Sequence, residues 1–166
     1  MQRVVIVFFV LVAICSCNIF RRKPPPPPPE APKIAANSIA LNISLEGEES
    51  TLVVPPFEEM VSSGLKARGF SVVSGMTQVT DLALEGKFVI TLMERSQMYG
   101  PDKFKYRVSG TLKIVRRANG EVLALKELDL NAVQLGKEGA VQSVVKMAVE
   151  TICTEVISRV IRQPGT

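Results

Sequence analysis

The chain has 166 residues, a formal charge of +4, no histidine and 46% hydrophobic residues, which is enough for a packed core and too apolar for a disordered chain. Without histidine, His-based triads, His metal sites and the commonest general base are excluded together. Aromatics at 5% with no tryptophan fall far from the dense basic, aromatic-interleaved surface of a nucleic-acid binder, so no nucleic-acid partner is expected.

The chain opens MQRVVIVFFVLVAICSC. Arg3 is followed by an unbroken apolar run over residues 4–14, a charged n-region and an h-region of secretory length. About a dozen apolar residues fall short of the roughly 20 needed to span a bilayer as a helix. The ending Ile14-Cys15-Ser16-Cys17 resembles the lipobox of bacterial lipoproteins: aliphatic at −3, small at −1, then the cysteine that receives lipid. The resemblance implies cleavage after residue 16 and lipidation of Cys17. Cys15 is the weaker candidate because bulky Ile14 precedes it. A second reading keeps residues 4–20 as an uncleaved anchor, interrupted by Ser16 and Asn18. Arg21, Arg22 and Lys23, close behind the apolar run, oppose translocation and suit anionic headgroups. Both readings tether the remainder to a membrane.

Asn18, rather than Asp, follows Cys17; by the same resemblance this implies the periplasmic face of the outer membrane. Six consecutive prolines at 24–29 come next. In polyproline II they form a stiff spacer of roughly 19 Å. They read as a stalk holding a domain off the membrane, or as a ligand for a proline-binding module, and the adjoining anchor favours the stalk. The expected organisation is a signal peptide at 1–16, lipidated Cys and linker at 17–33, and one domain at 34–166. About 130 residues is a normal size for a single core.

Within the domain, Ile39, Leu41, Ile43 and Leu45 alternate with small or polar residues, the period-two pattern of a half-buried strand. After Pro55-Pro56, the residues Phe57, Met60, Val61, Gly64, Leu65 and Arg68 fall on one face of a helix, and Gly69 fits the left-handed position that stops it. Glu58 and Glu59 suit its amino-terminal dipole. A second strand begins at Phe70, Val72 and Val73. From Leu82 to Arg95 the even positions Leu82, Leu84, Gly86, Phe88, Ile90 and Leu92 are expected to face a core. Phe104, Tyr106, Val108, Gly110, Leu112 and Ile114 alternate in the next strand. Asn119-Gly120 predicts a hairpin turn. The returning strand, from Glu121 to about Leu135, changes apolar register between Leu123/Leu125 and Leu128/Leu130, which predicts a bulge there. Residues 136–139 are expected to break the sheet. A long helix then carries the apolar stripe Ala140, Val141, Val144, Val145, Ala148, Ile152, Val156 and Val160. The fold class is therefore α+β, an antiparallel meander of about five strands with two helices on one face, in the order β-α-β-β-β-β-α.

Candidates for chemistry are few. Gly64 and Gly69 lack the following Lys-Ser/Thr of a phosphate loop. Glu48-Glu49 and Glu58-Glu59 are neighbours whose side chains point apart, poor acid/base pairs. Cys153, alone in an apolar helical stripe, reads as a small buried hydrophobe. No catalytic residue, metal site or cofactor is expected. One surface has content: Lys105, Arg107 and Lys113 share the outward face of one strand, and Lys87 and Arg95 that of its neighbour. Such a face suits an anionic partner, although Lys, Arg and Thr are also what an ordinary solvated sheet face carries.

The pattern Gly69-Phe70-Ser71-Val72, then residues 80–87 (Thr-Asp-Leu-Ala-Leu-Glu-Gly-Lys) leading into a meander, and a closing helix of small residues after a glycine break, is similar to small envelope domains. These include flagellar assembly protein T, the amino-terminal domain of TolB, the curli secretion lipoprotein CsgG and lipoprotein activators of penicillin-binding proteins. The resemblance spans roughly residues 34–162 and is one of topology. It implies a non-enzymatic lipoprotein with an envelope protein partner. The plug lipoprotein of the lipopolysaccharide-transport pore, also a lipidated β/α domain with a basic face, is the alternative, which would bind an anionic lipid or a pore partner. This chain departs from it in its proline stalk.

Overall fold

The computed structural model describes residues 34–74, 79–97 and 100–161. The expectations for the signal, Cys17, the basic cluster at 21–23 and the proline stalk lie outside the described residues. In chain order the elements are β1 (Ile34–Ala35), β2 (Ser38–Glu46), a 3-10 turn (Ser50–Leu52), α1 (Phe57–Ala67), β3 (Ser71–Ser74), β4 (Leu82–Ser96), β5 (Lys103–Arg116), β6 (Glu121–Leu135), α2 (Lys137–Arg159) and β7 (Val160–Ile161). The α+β class holds, as does the meander over β4–β5–β6, which pair antiparallel in sequence. The sheet order is β3-β2-β4-β5-β6, and β2 lies parallel to both its neighbours. The sheet is thus mixed: β2, α1 and β3 make a crossover unit attached to one side of the meander.

The alternating strands bury the residues that the pattern marks. Ile39, Leu41, Ile43, Leu82, Leu84, Phe88, Ile90, Tyr106, Val108, Leu112, Ile114, Leu128 and Ala132 form the inner sheet surface. Both helices cover it: α1 contributes Phe57, Val61 and Leu65, and α2 a stripe from Ala140 to Val156. Leu92 keeps the inner register opposite Tyr106 but remains exposed.

Two inner positions are glycine for a steric reason. Gly110 pairs with Phe88, and a Cβ on Gly110 would stand 2.3 Å from the Lys87 carbonyl and 2.7 Å from the Phe88 ring. A Cβ on Gly86 would meet the same ring at 2.9 Å. Gly86 and Gly110 therefore leave the bed on which Phe88 lies, edge-on to Phe57 with ring centroids 5.5 Å apart.

α1 stops as its sequence predicts. Gly69 (φ +83°) donates its N–H to Lys66, and the Phe70 N–H reaches back to Leu65 at 3.2 Å, with both Phe70 and Leu65 buried. Gly64 faces α2, where a Cβ would stand 2.8 Å from the Cys153 sulfur. Cys153 is fully buried, a small apolar group at the helix crossing. At the other end of the sheet only Gly136 breaks the chain; α2 begins at Lys137, so Gly139 lies in its first turn. Among the described residues no helix is long and apolar enough to cross a membrane.

Candidate interaction surface

The cross-strand register decides which side chains share the open face of the sheet, because residues directly opposite one another point the same way. Glu85 pairs with Lys113, Lys87 with Thr111 and Thr91 with Arg107; across the next ladder Lys105 meets Val133, Arg107 meets Asn131, Ser109 meets Asp129 and Thr111 meets Glu127. Lys87, Lys105, Arg107 and Lys113 therefore do stand on one face, away from the helices.

Arg95 does not join them. Met93 is an extra residue in β4: the pairing passes from Leu92–Tyr106 to Glu94–Lys105 and then Arg95–Phe104. A bulge inserts one residue, and every later side chain changes face. Arg95 consequently lies on the helix side of the sheet's end, over the Phe104 ring at 5.5 Å, with its Nε 2.9 Å from Asp102 Oδ2.

Nor is the open face basic. Glu85, Glu94, Glu127 and Asp129 occupy it alongside the cations. Arg107 donates from Nε and an η nitrogen to the two oxygens of Asp129, each at 2.6 Å, and Lys113 Nζ lies 3.4 Å from Glu85. The Asp129 carboxylate pushes the Arg107 pKa up, holding the guanidinium charged. Among the described residues Lys87, Lys105 and Glu127 have no ion-pair partner. Exposed apolar groups flank the charges: Val89, Val122, Leu125, Val133 and Leu135.

A second bulge lies earlier in the chain than the alternation predicts. The ladder slips between Ile114–Ala124 and Val115–Val122, leaving Leu123 as the extra residue of β6. The register change expected further along, between Leu125 and Leu128, is instead at Leu123. Leu125, opposite Lys113, is an outward residue 69% exposed. From Ala124 onward the strand is regular, with Leu128, Leu130 and Ala132 inward and Glu127, Asp129 and Asn131 outward.

Three polar arrangements away from this face were also missed. Asp81 Oδ2 accepts the N–H groups of Asn37 and Ser38 at 3.0 and 2.9 Å and the Ser38 hydroxyl at 2.8 Å. The Asn37 N–H, with help from Ser38 and against burial, holds the Asp81 carboxyl below its ordinary pKa. This ties the start of β2 to the start of β4. On the inner surface of the edge strand, Lys126 reaches α2 and meets Glu155 at 2.6 Å, with Arg159 on the other oxygen at 3.2 Å. Burial pushes the Glu155 pKa up, and the two cations more than reverse it. At the far end of β5 the Tyr106 hydroxyl is buried without a hydrogen bond in good geometry. Burial, then the neighbouring Glu49, pushes its pKa up, while Glu49 itself pairs with Lys137 at 2.7 Å. The signal for Asp81 was its place immediately before an apolar strand; for Lys126, a charge between apolar inward positions.

Among the described residues no three His, Cys, Asp or Glu side chains gather as a metal site. An apolar groove of about 500 Å³ between β2, the 3-10 turn and the start of α1 is lined by Ile43, Leu45, Val53 and Phe57, with Ser50 and Thr51 at its rim.

No family model matches the sequence, and no curated protein matches it. Among solved structures the chain is similar to a minor lipoprotein from Acinetobacter baumannii, with 15% identity over 74% of this chain and 93% of that one, at a TM-score of 0.46. It is similar also to a singly substituted PelC dodecamer from Paraburkholderia phytofirmans, with 16% identity, 81% and 95% coverage and a TM-score of 0.46. A protein from Xanthomonas campestris shares 13% identity over 80% and 87% of the two chains, at a TM-score of 0.49.

Proposed function

We propose that this chain is an exported lipoprotein, anchored through Cys17 to the periplasmic face of the bacterial outer membrane, where it serves as a non-catalytic interaction subunit of an envelope machine. The observation that carries the reading is the amino-terminal order: a short basic n-region, an apolar run too short to span a bilayer, the lipobox-like Ile14-Cys15-Ser16-Cys17, and then the proline spacer. A stalk of this kind holds a folded domain clear of its anchor, which suits docking onto another protein. In keeping with the resemblance of its topology to small envelope domains, the machine is one of flagellar assembly, secretion or cell-wall synthesis.

Within this reading the partner meets the open sheet face around Lys87, Lys105, Arg107 and Lys113, and Arg95, on the other face, takes no part. The pairing of Arg107 with Asp129 and of Lys113 with Glu85 favours a protein partner over an anionic lipid or glycan, because a charge-balanced face offers little long-range attraction to a polyanion.

The test is mass spectrometry of the protein purified from membranes, comparing the wild type with Cys17→Ala. The expected result is a mature wild-type chain that begins at a lipid-modified Cys17 and a variant that lacks the modification. An intact chain retaining Met1 without lipid would replace the proposal with an uncleaved amino-terminal anchor.

A further inference from the structure

β6 is the edge of the five-stranded sheet, fifteen residues long, and among the described residues nothing pairs with its second side. An edge of this length presents unpaired N–H and C=O groups, and natural sheets guard such edges with bulges and inward-pointing charges. β6 has both, but only in its first half: the bulge at Leu123 and the inward Lys126, which is held by Glu155. From Glu127 to Leu135 the ladder is regular and contains no proline. Its inner residues Leu128 and Ala132 are core, and its outer residues Val133 and Leu135 are 54% and 58% exposed. The guarded half and the open half meet at the middle of one strand.

The open half is complementary to itself. In an antiparallel pair related by a two-fold axis through Asn131, Glu127 would meet Leu135, Asp129 would meet Val133, Leu128 would meet Gln134, and Leu130 would meet Ala132. No like charges are opposed, and Asn131 faces its own copy. Registers centred on Leu128 or Asp129 would instead set Glu127 against Asp129, or Asp129 against itself, which is unfavourable across strands. Asp129 is already neutralised by Arg107, leaving Glu127 at the end of the pairing, opposite an apolar group. A two-fold axis perpendicular to the sheet also keeps both copies of α2 on the same side of the joined sheet.

We infer that residues 127–135 of β6 pair with the same residues of a second copy, joining two five-stranded sheets into one continuous sheet. This goes beyond the proposed function and does not depend on how the chain is anchored.

The experiment uses the full-length protein in detergent. Sedimentation over a range of concentrations is expected to show a reversible dimer. Asn131→Lys, which sets two ammonium groups against each other across the axis on an exposed position, is expected to weaken association at least tenfold while leaving the circular dichroism spectrum unchanged. In a background carrying Cys15→Ser and Cys17→Ser, Asn131→Cys is expected to give a dimer band with a short bismaleimide, absent in Val122→Cys on the guarded half and in the background alone. A protein that stays monomeric at every concentration would overturn the inference. So would a dimer that Asn131→Lys leaves intact, or one in which positions 122 and 131 cross-link equally. Because the cysteine variant reports position directly, the test stands even if the lysine variant fails to fold.

Discussion

The two faces of β4, β5 and β6 arise from one alternation and are settled by different physics. On the helix side, shape decides: Phe88 rests on Gly86 and Gly110, and a single methyl at Gly110 would collide with backbone. On the open side, charge pairing decides, and the pairs are loose: the Arg107 side chain is 39% exposed and that of Asp129 56%. Removing atoms from a packed interior costs transfer energy and leaves a cavity, whereas an exposed ion pair is screened and held at an entropic cost. The same strands can therefore have one face intolerant of a methyl group and another free to change its charges.

The largest expected effect breaks the inner face. Phe88→Ala should destabilise the domain by about 3–5 kcal/mol, read as a fall in the urea midpoint with little change in slope. A loss below about 1 kcal/mol would mean that the glycine bed collapses to fill the space, and that shape is not what fixes this face.

An intermediate effect is expected at Asp81, where a charge is held by backbone groups rather than by another side chain. Asp81→Asn should cost about 1–2 kcal/mol at neutral pH. Because the folded pKa of Asp81 is depressed, its contribution is present above the unfolded value of about 4 and is lost as the pH falls through the folded value. Glu155 shifts in the same direction. Thermal melts between pH 2 and 7 should thus show an acid limb in the wild type that is shallower in Asp81→Asn. Parallel limbs in the two proteins would assign the acid sensitivity elsewhere.

The smallest effect belongs to the open face. A double-mutant cycle of Arg107→Ala and Asp129→Ala should return a coupling below about 1 kcal/mol, diminishing with added salt. A coupling of several kcal/mol that persists in high salt would erase the distinction between the faces.

Much of this arrangement was legible in the chain. Period-two alternation marked the buried residues of β2, β4 and β5; Asn119-Gly120 marked the hairpin, whose Gly120 has φ +71°; and the stripe from Phe57 to Gly69 marked α1 with its stop. These signals are local, and local sterics decide them. What escaped depends on the partner strand. Met93 and Leu123 resemble any other apolar strand residues, and only the ladder against β5 makes each of them the extra one. Each slip reassigns every side chain beyond it, which is how Arg95 left the open face and Leu125 came to occupy it. The insertion of β2 between β3 and β4 is likewise a matter of long-range pairing that alternation within one strand does not encode.

The short pairing of β1 with β7 has a mechanical consequence. Ile34 lies beside Val160 and Ala35 beside Ile161, in parallel. The chain enters β1 at one end of this ladder and leaves β7 at the other, so tension between residues 34 and 161 acts along the strand axis. The ladder is loaded in shear, its hydrogen bonds sharing the force at once instead of opening one after another. Behind it stands β2, parallel to both flanking strands and latched by Asp81. Tension applied at residue 34 thus meets two successive shear joints, the second of them part of the core itself.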